Sequence, residues 1–404
     1  MTVTAAPPDE NVRILDEATE LPVDSGSQQH QWFPEFSNRC APKTCEGFSA
    51  DTEVLTDSGW KLFTCLDRTE AVATVNPHSD QIEYQHPTVY TDCFYDGEMV
   101  ALHGKRIDAL VTPNHRMITC PIRSIWERSD GTLGKLARSL TPSHALKSHA
   151  KWTGTSDRVR VPEFVSAQGY LIAEQKIVDR GDLAEFMGWY VTSGSSHLAP
   201  ANRTSRTIIS QGEGKKADAL RVLLCKLPWA FREILRGGRC IGFESTQRQL
   251  YDLVQECGRG SVNKKIPRWV LQSSSPILER FFMGCVHGHR FERQLGHRTI
   301  ATISRDLADG YQECLVKMGK GTTAKSIQPA ERTQLRGKVW KAHLQYHVSE
   351  VRTLHTWLRG SDSVGGSIIH REQYRGRVYC VSVPSRVLIC RRNLKVFIAG
   401  GSFS

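Results

Sequence analysis

The sequence predicts an all-β unit split by a mixed α/β insert, and three observations predict it. Short runs rich in Thr, Val and Tyr, broken by DSG, NPHSD and YDGE turns, fill residues 51–120. From about Asp182 the apolar residues recur at helical spacing. From Arg377 the β character returns, in RVYCVSVPSRVLICRRNLKVFIAGG.

Residues 1–46 are polar and rich in Pro, Ser and acidic side chains, which reads as a loose leader. TEVLTDSGWKLF, EAVATVN, PTVYTDCFYDGEMVALHG and IDALVTPNHRMITC then supply the first strands. Helices are expected at LAEFMGWYV, ADALRVLLCKL, TQRQLYDLVQEC, SPILERFFMGC and SRDLADGYQECLVKM. Strand-like RTIIS, CIGFE and HRTIATIS alternate with them. Two such half-patterns in succession predict a duplicated α/β domain.

At 404 residues and 45.4 kDa the chain can hold two or three cores. No apolar run is long enough to cross a membrane, so a transmembrane protein is not expected. The acidic N-terminus has no apolar signal region, so a cytoplasmic location is expected. The 12 cysteines include no CxxC pair, against a zinc ribbon or redox dithiol; most should be free and buried. Of the 53 basic residues, 33 lie between Lys151 and His370, against 20 acidic ones, so the basic excess is all central. That distribution fits a nucleic-acid-binding insert, and equally a solvated basic surface.

Three separated segments carry a resemblance to inteins, whose shared fold is the horseshoe-like Hint domain. GFSADTEVLTDSGW (47–60) resembles the N-terminal block, LVTPNHRM (110–117) the Thr-x-x-His block, and GRVYCVSVPSRVLICRRNLKVFIAGGS (376–402) the paired C-terminal strands. The resemblance implies a Hint domain from residues 47–155 and 343–401, the latter beginning with a linker. Residues 1–46 and 402–404 would be flanking remnants. A peptide bond is cleaved only when a nucleophile is held against its carbonyl and a proton reaches the leaving amine. Thr112 would hydrogen-bond the scissile amide and His115 would deliver the proton. The same pair also reads plainly as a strand residue followed by a turn histidine.

Two departures from the family pattern bear on chemistry. Gly47 stands where most inteins begin with Cys or Ser. In the class lacking that nucleophile, a Cys after Val-Tyr attacks the upstream bond directly, and Cys380 fits that role; its alternative is a buried strand cysteine like Cys390. That class also has a Trp and a Thr where this chain has Met117 and Ala399. At the far end, Gly400 and Gly401 replace the usual terminal residues before Ser402. Glycine has no side-chain amide to cyclise, so asparagine-driven release is chemically impossible here. The expectation is a splicing-defective element that at most cleaves Glu46–Gly47 in cis, without a cofactor, its thioester being hydrolysed or passed to Ser402.

LAEFMGWYVTSGSS (183–196) and ILERFFMGCVHGHR (277–290) look like paired LAGLIDADG helices of a homing endonuclease, and NKKIPRWVL between them is also typical. The resemblance implies an αββ-type domain of twofold pseudosymmetry over residues 160–342. Each such helix ends in an acid before Gly, and the two carboxylates hold Mg²⁺ for phosphodiester cleavage. Here those positions are Ser193 and His287, so no metal site is expected, and Mg²⁺ would matter only to an unexpectedly active enzyme. Double-stranded DNA remains a possible partner, with Lys264 and Lys265 as phosphate contacts or as an exposed basic turn. Three readings stay open: a self-processing relic, a DNA-binding or DNA-cleaving endonuclease, and an inert scaffold.

Overall fold

The computed structural model describes residues 45–121, 134–166, 168–199, 204–289, 298–329, 332–333, 339–340, 343–351, 355–359 and 368–402. Residues 1–44 of the leader expected over 1–46, and the last two residues, 403–404, lie outside this set. The described chain is mainly β. Its first strands are β1 (Phe48–Ser49), β2 (Glu53–Thr56), β3 (Gly59–Leu62), β4 (Val72–Val75) and β5 (Ile82–Gln85). There follow β6 (Val89–His103), β7 (Asp108–Val111) and β8 (Arg116–Met117).

A central stretch holds α1 (Arg180–Ser193), β9 (Gly194–Leu198), β10 (Ser205–Ile209), α2 (Lys215–Leu224), β11 (Arg232–Arg236) and β12 (Arg239–Ser245). It continues with α3 (Arg248–Val254), α4 (Ser275–Gly288), β13 (Thr299–Thr302), α5 (Arg305–Lys317), β14 (Gly321–Ile327) and β15 (Gln345–Val351). The chain closes with β16 (Ile369–Ser382), β17 (Val387–Arg392) and β18 (Lys395–Gly400).

Four strands, β1, β16, β6 and β7, close into a barrel. Its longest seam pairs β16 with β6 from Ile369 opposite Leu102 to Ser382 opposite Val89. The short β1 sets Phe48 against both Tyr379 and Val111, so residues just before it run between the ends of β16 and β7. A larger sheet orders its strands β13-β15-β14-β18-β17-β2-β4-β5. Its apolar interior includes Leu55, Val75, Ile82, Ile389 and Ile398. The β17–β18 hairpin turns on Asn393 and Leu394, with φ of 46° and 61°. Both central residues of such a tight turn must be left-handed, which suits Asn and strains Leu. Packing and hydrogen bonding hold the leucine: it is buried, and its carbonyl accepts the Gln312 amide at 2.9 Å.

The central helices owe their limits to local chemistry. The Asp179 carboxylate accepts the Asp182 amide hydrogen and caps α1; the Ser304 hydroxyl accepts that of Leu307 and caps α5. Helices α1 and α4 cross backbone to backbone at two glycines. A Cβ on Gly188 would lie 2.1 Å from the Phe281 carbonyl oxygen, and one on Gly284 would lie 2.3 Å from that of Glu185. Only glycine permits that approach. Four strands, β9, β10, β12 and β11, form a separate sheet beside α1.

Residues 345–351 form a strand in the stretch that was expected to begin with a linker. This strand, β15, lies between β13 and β14 and pairs with both. The sequence QYHVSEV has the β-branched residues of a strand, and Val348 is buried.

A buried guanidinium joins the central helices to the first strands. Arg391 of β17, fully buried, donates to both Glu53 carboxylate oxygens at 2.6 and 2.7 Å and to Asp309 at 2.7 Å. It also reaches the Gln312 side-chain oxygen at 3.0 Å and stacks on the Trp60 ring. A buried arginine is tolerated only with such complete pairing. No helix among the described residues is long and apolar enough to cross a membrane.

Candidate functional site

Thr112 follows β7 and meets the chain entering β1. Its hydroxyl accepts the Gly47 amide hydrogen at 3.0 Å and donates to the Cys45 carbonyl at 2.9 Å, while its own amide donates to the Gly47 carbonyl at 3.0 Å. One hydrogen bond thus holds the nitrogen of the Glu46–Gly47 peptide, and two more hold the peptides on either side of it. The nitrogen of that bond already rests on a side-chain hydroxyl.

His115 sits in the turn between β7 and β8, its amide bonded to the Thr112 carbonyl at 3.0 Å. The imidazole is fully buried, edge-on to Phe48 at 4.1 Å, and neither ring nitrogen makes a hydrogen bond. Burial pushes its pKa down to about 3, offset only in part by the nearby Gly400 backbone. The resting ring is therefore neutral.

Cys380 lies near the end of β16 and is fully buried. Its thiol points to the Val381 carbonyl at 3.7 Å, and the Ser402 amide donates to that same oxygen at 3.1 Å. Burial pushes the thiol far above its ordinary range; the neighbouring Glu46 and Cys45 raise it further, against the Val381 and Ser402 backbone. One carbonyl thus gathers Cys380 and Ser402, and Glu46 is close enough to be felt. No direct contact joins the thiol to His115.

The downstream end is held by backbone. Gly401 donates to the Arg386 carbonyl at 2.9 Å, and the Ser382 hydroxyl donates to the Ser402 carbonyl at 2.9 Å. The Ser402 hydroxyl accepts a long bond of 3.4 Å from Thr91. A Cβ on Gly401 would fall 2.8 Å from the Val381 carbonyl oxygen. Met117 and Ala399 are direct cross-strand partners, both fully buried. Two separate substitutions in the sequence are one apolar pair in space.

Ionisation sets the chemical reach of this cluster. Burial holds the thiol above its ordinary range and the imidazole below its own, so moving a proton from one to the other is uphill. The closed arrangement leaves the thiol protonated and the imidazole neutral.

The second cluster lies where α1 and α4 end. Ser193 is the last residue of α1, its hydroxyl donating to the Trp189 carbonyl at 3.1 Å. His287, one residue before the end of α4, lies 5.7 Å from the Trp189 ring, its Nδ1 buried without a partner. A Cβ on Gly288 would sit 3.3 Å from the Ser193 hydroxyl, so the two helix ends converge. They border a cavity of about 880 Å³.

Lys264 lines the same cavity and is not on an exposed turn. It is buried, and its ammonium donates to the Tyr190 carbonyl at 2.5 Å and the Gly194 carbonyl at 2.7 Å, capping α1. Burial pulls its pKa down to about 8. Lys265, by contrast, is exposed. The direction of these neighbours was not visible in NKKIP, where both lysines look alike. Among the described residues no group of three or more His, Cys, Asp or Glu could hold a metal ion.

No protein-family model matches the chain. Among curated proteins, an ATP-dependent Clp protease proteolytic subunit of Chlamydomonas moewusii is 24% identical over 248 residues, 57% of this chain and 23% of that protein. A DNA-directed RNA polymerase subunit beta C-terminal section of Stigeoclonium helveticum is 20% identical over 400 residues, 85% of this chain and 35% of that protein. The chain spans roughly a third or less of the length of these relatives. Similar solved structures include mesophilic variants of the homing endonuclease I-DmoI, at 13% identity and TM-score 0.31, over 43% of this chain and 89% of that one. They also include the AceL NrdHF class 3 split intein, a splice-inactive variant, at 20% identity and TM-score 0.22, over 33% of this chain and 76% of that one.

Proposed function

We propose that the chain is an intein-like, splicing-defective Hint protein whose residual chemistry is slow cleavage in cis at Glu46–Gly47. The observation that carries this reading is the Thr112 hydroxyl, hydrogen-bonded to the Gly47 amide of that bond and to the Cys45 carbonyl. Cys380, felt by Glu46 and sharing the Val381 carbonyl with Ser402, is the nucleophile of the reading. Its sulfur attacks the Glu46 carbonyl carbon, the carbon–nitrogen bond to Gly47 breaks, and the thiol proton ends on the new Gly47 amine. His115 carries that proton. The resulting thioester is hydrolysed by water or transferred to the Ser402 hydroxyl. The buried thiol and neutral imidazole make the step slow until the cluster opens to water.

The test is the mass of the purified full-length protein with and without dithiothreitol. Cleavage products ending at Glu46 that grow with thiol and vanish in Cys380→Ala support the reading. An intact mass throughout, identical for the variant, overturns it.

A second reading concerns the stretch 160–342, as a degenerate endonuclease domain that retains DNA binding. The sheet β9-β10-β12-β11 presents Arg206 and Arg232 to solvent, both drawn to Glu244. Backbone phosphates would compete for those guanidiniums, and binding would fall steeply with salt. Plasmid retardation without nicking, in Mg²⁺ or Mn²⁺, is the expected outcome.

A further inference from the structure

Position 47 needs glycine for space and not for backbone freedom, since Gly47 is not among the residues of positive φ. A Cβ there would lie 3.0 Å from both the Cβ and the Cγ2 of Val378 on β16, closer than nearly all side-chain contacts. Neither side can give way. Val378 is fully buried and packs with Cys45, Cys93, Tyr95, Met99 and Leu110. Its Cβ is carried by the strand backbone, and its branched side chain has few χ1 choices. That backbone is paired on both flanks, with Ser49 opposite Val378 on one side and Cys93 on the other. Gly47 is held in turn by Thr112, whose hydroxyl takes its amide hydrogen and whose amide donates to its carbonyl, both at 3.0 Å.

We propose that Val378 is the specificity-determining residue of the upstream junction: it fills the space beside residue 47, so that the site accepts only a peptide bond that precedes glycine. The inference deepens the cleavage reading, on which its chemistry rests, by naming the class of bond that can be cut. A nucleophile carried by residue 47 itself is shut out, because its sulfur or oxygen would hang from the very carbon that has no room. Attack on the Glu46 carbonyl is left to a group on the neighbouring strand. Carried one residue further, the pairing of Phe48 with Tyr379 brings Gly47 level with Cys380.

The test uses the full chain in a Cys380→Ala background, which removes the thiol of that strand. With Gly47→Cys added, the introduced sulfur would have to attack the Glu46 carbonyl carbon, break that carbon's bond to nitrogen and give the thiol proton to the freed amine. Added dithiothreitol then takes the acyl group. Mass spectrometry should find no product ending at Glu46, and adding Val378→Ala should raise that product about tenfold or more. Chemical melts read the same contact without any cleavage. Gly47→Ala should lower the denaturation midpoint, and Val378→Ala, which alone opens a cavity, should raise it again in the combined variant. Should Gly47→Ala not fold, recovery of a folded chain in the combined variant counts the same way. Such coupling, with no cleavage in these variants or in the unaltered protein, would support the proposal and count against the cleavage reading. Additive losses would overturn it, as would a Gly47→Ala protein as stable as the original. So would cleavage of Gly47→Cys that is as fast without Val378→Ala as with it.

Discussion

The junction beside β1 and the meeting of α1 with α4 depart in the same way from the family patterns that they resemble. In both, contacts that set backbone position are present. Thr112 still bridges the Gly47 amide and the Cys45 carbonyl, and Gly188 and Gly284 still let two helices touch main chain to main chain. In both, the side chains expected to do chemistry are exchanged. Gly400 and Gly401 precede Ser402, and Ser193 and His287 stand at the helix ends. The lesson is physical: a scaffold contact is tied to folding free energy, whereas a reactive group can be lost at no cost to stability.

That contrast can be broken by experiment, and the largest effect should come from acid. The buried His115 binds a proton more readily in the unfolded chain than in the folded one. Stability present at neutral pH is therefore lost as pH falls from 6.5 towards the folded value of about 3, by at most roughly 4–5 kcal/mol. Denaturant melts at pH 7 and pH 4 should show the loss, and His115→Phe should flatten it. Next comes Gly188→Ala, whose methyl would press on the Phe281 carbonyl; a cost of about 3 kcal/mol is expected from chemical melts.

Thr112→Val keeps the shape and removes the hydroxyl, stranding the Gly47 amide and the Cys45 carbonyl. About 2 kcal/mol of stability should go, and with it most of any thiol-dependent cleavage seen by mass spectrometry. The smallest effect is expected for Gly401→Asn, which restores an amide but sets its Cβ against the Val381 carbonyl. A loss of about 1 kcal/mol with no downstream release would show that the missing side chain is no longer the sole obstacle. Efficient release would show that the junction accommodates an asparagine.

The sequence carried the local features far better than the spatial ones. Helical spacing located α2 to α5, whose apolar faces have their period written in consecutive residues, while α1 is buried nearly all round, from Phe186 to Val191 without a break. The β-rich character of residues 51–120 and of the last thirty was equally readable. Pairings across long separations were not. Nothing in the string joins Met117 to Ala399, or Arg391 to Glu53 and Asp309. Lys264 and Lys265 are adjacent and chemically alike, yet one caps a helix inside the molecule and the other faces water. The strand at 345–351 was taken for a linker because seven residues of mixed polarity look alike whether paired or free.

Arg391 has a consequence for anyone who would shorten this chain. Its guanidinium is neutralised from two directions, by Glu53 on one strand and by Asp309 and Gln312 on α5. Excising the helical stretch would take away the Asp309 and Gln312 half of that coordination and leave Arg391 held by Glu53 alone, beside Trp60. A minimal version should therefore be less stable, and Met or Leu at position 391 would have to be matched by a neutral residue at position 53. The two parts have become mutual ballast, and neither can be discarded without retrimming the other.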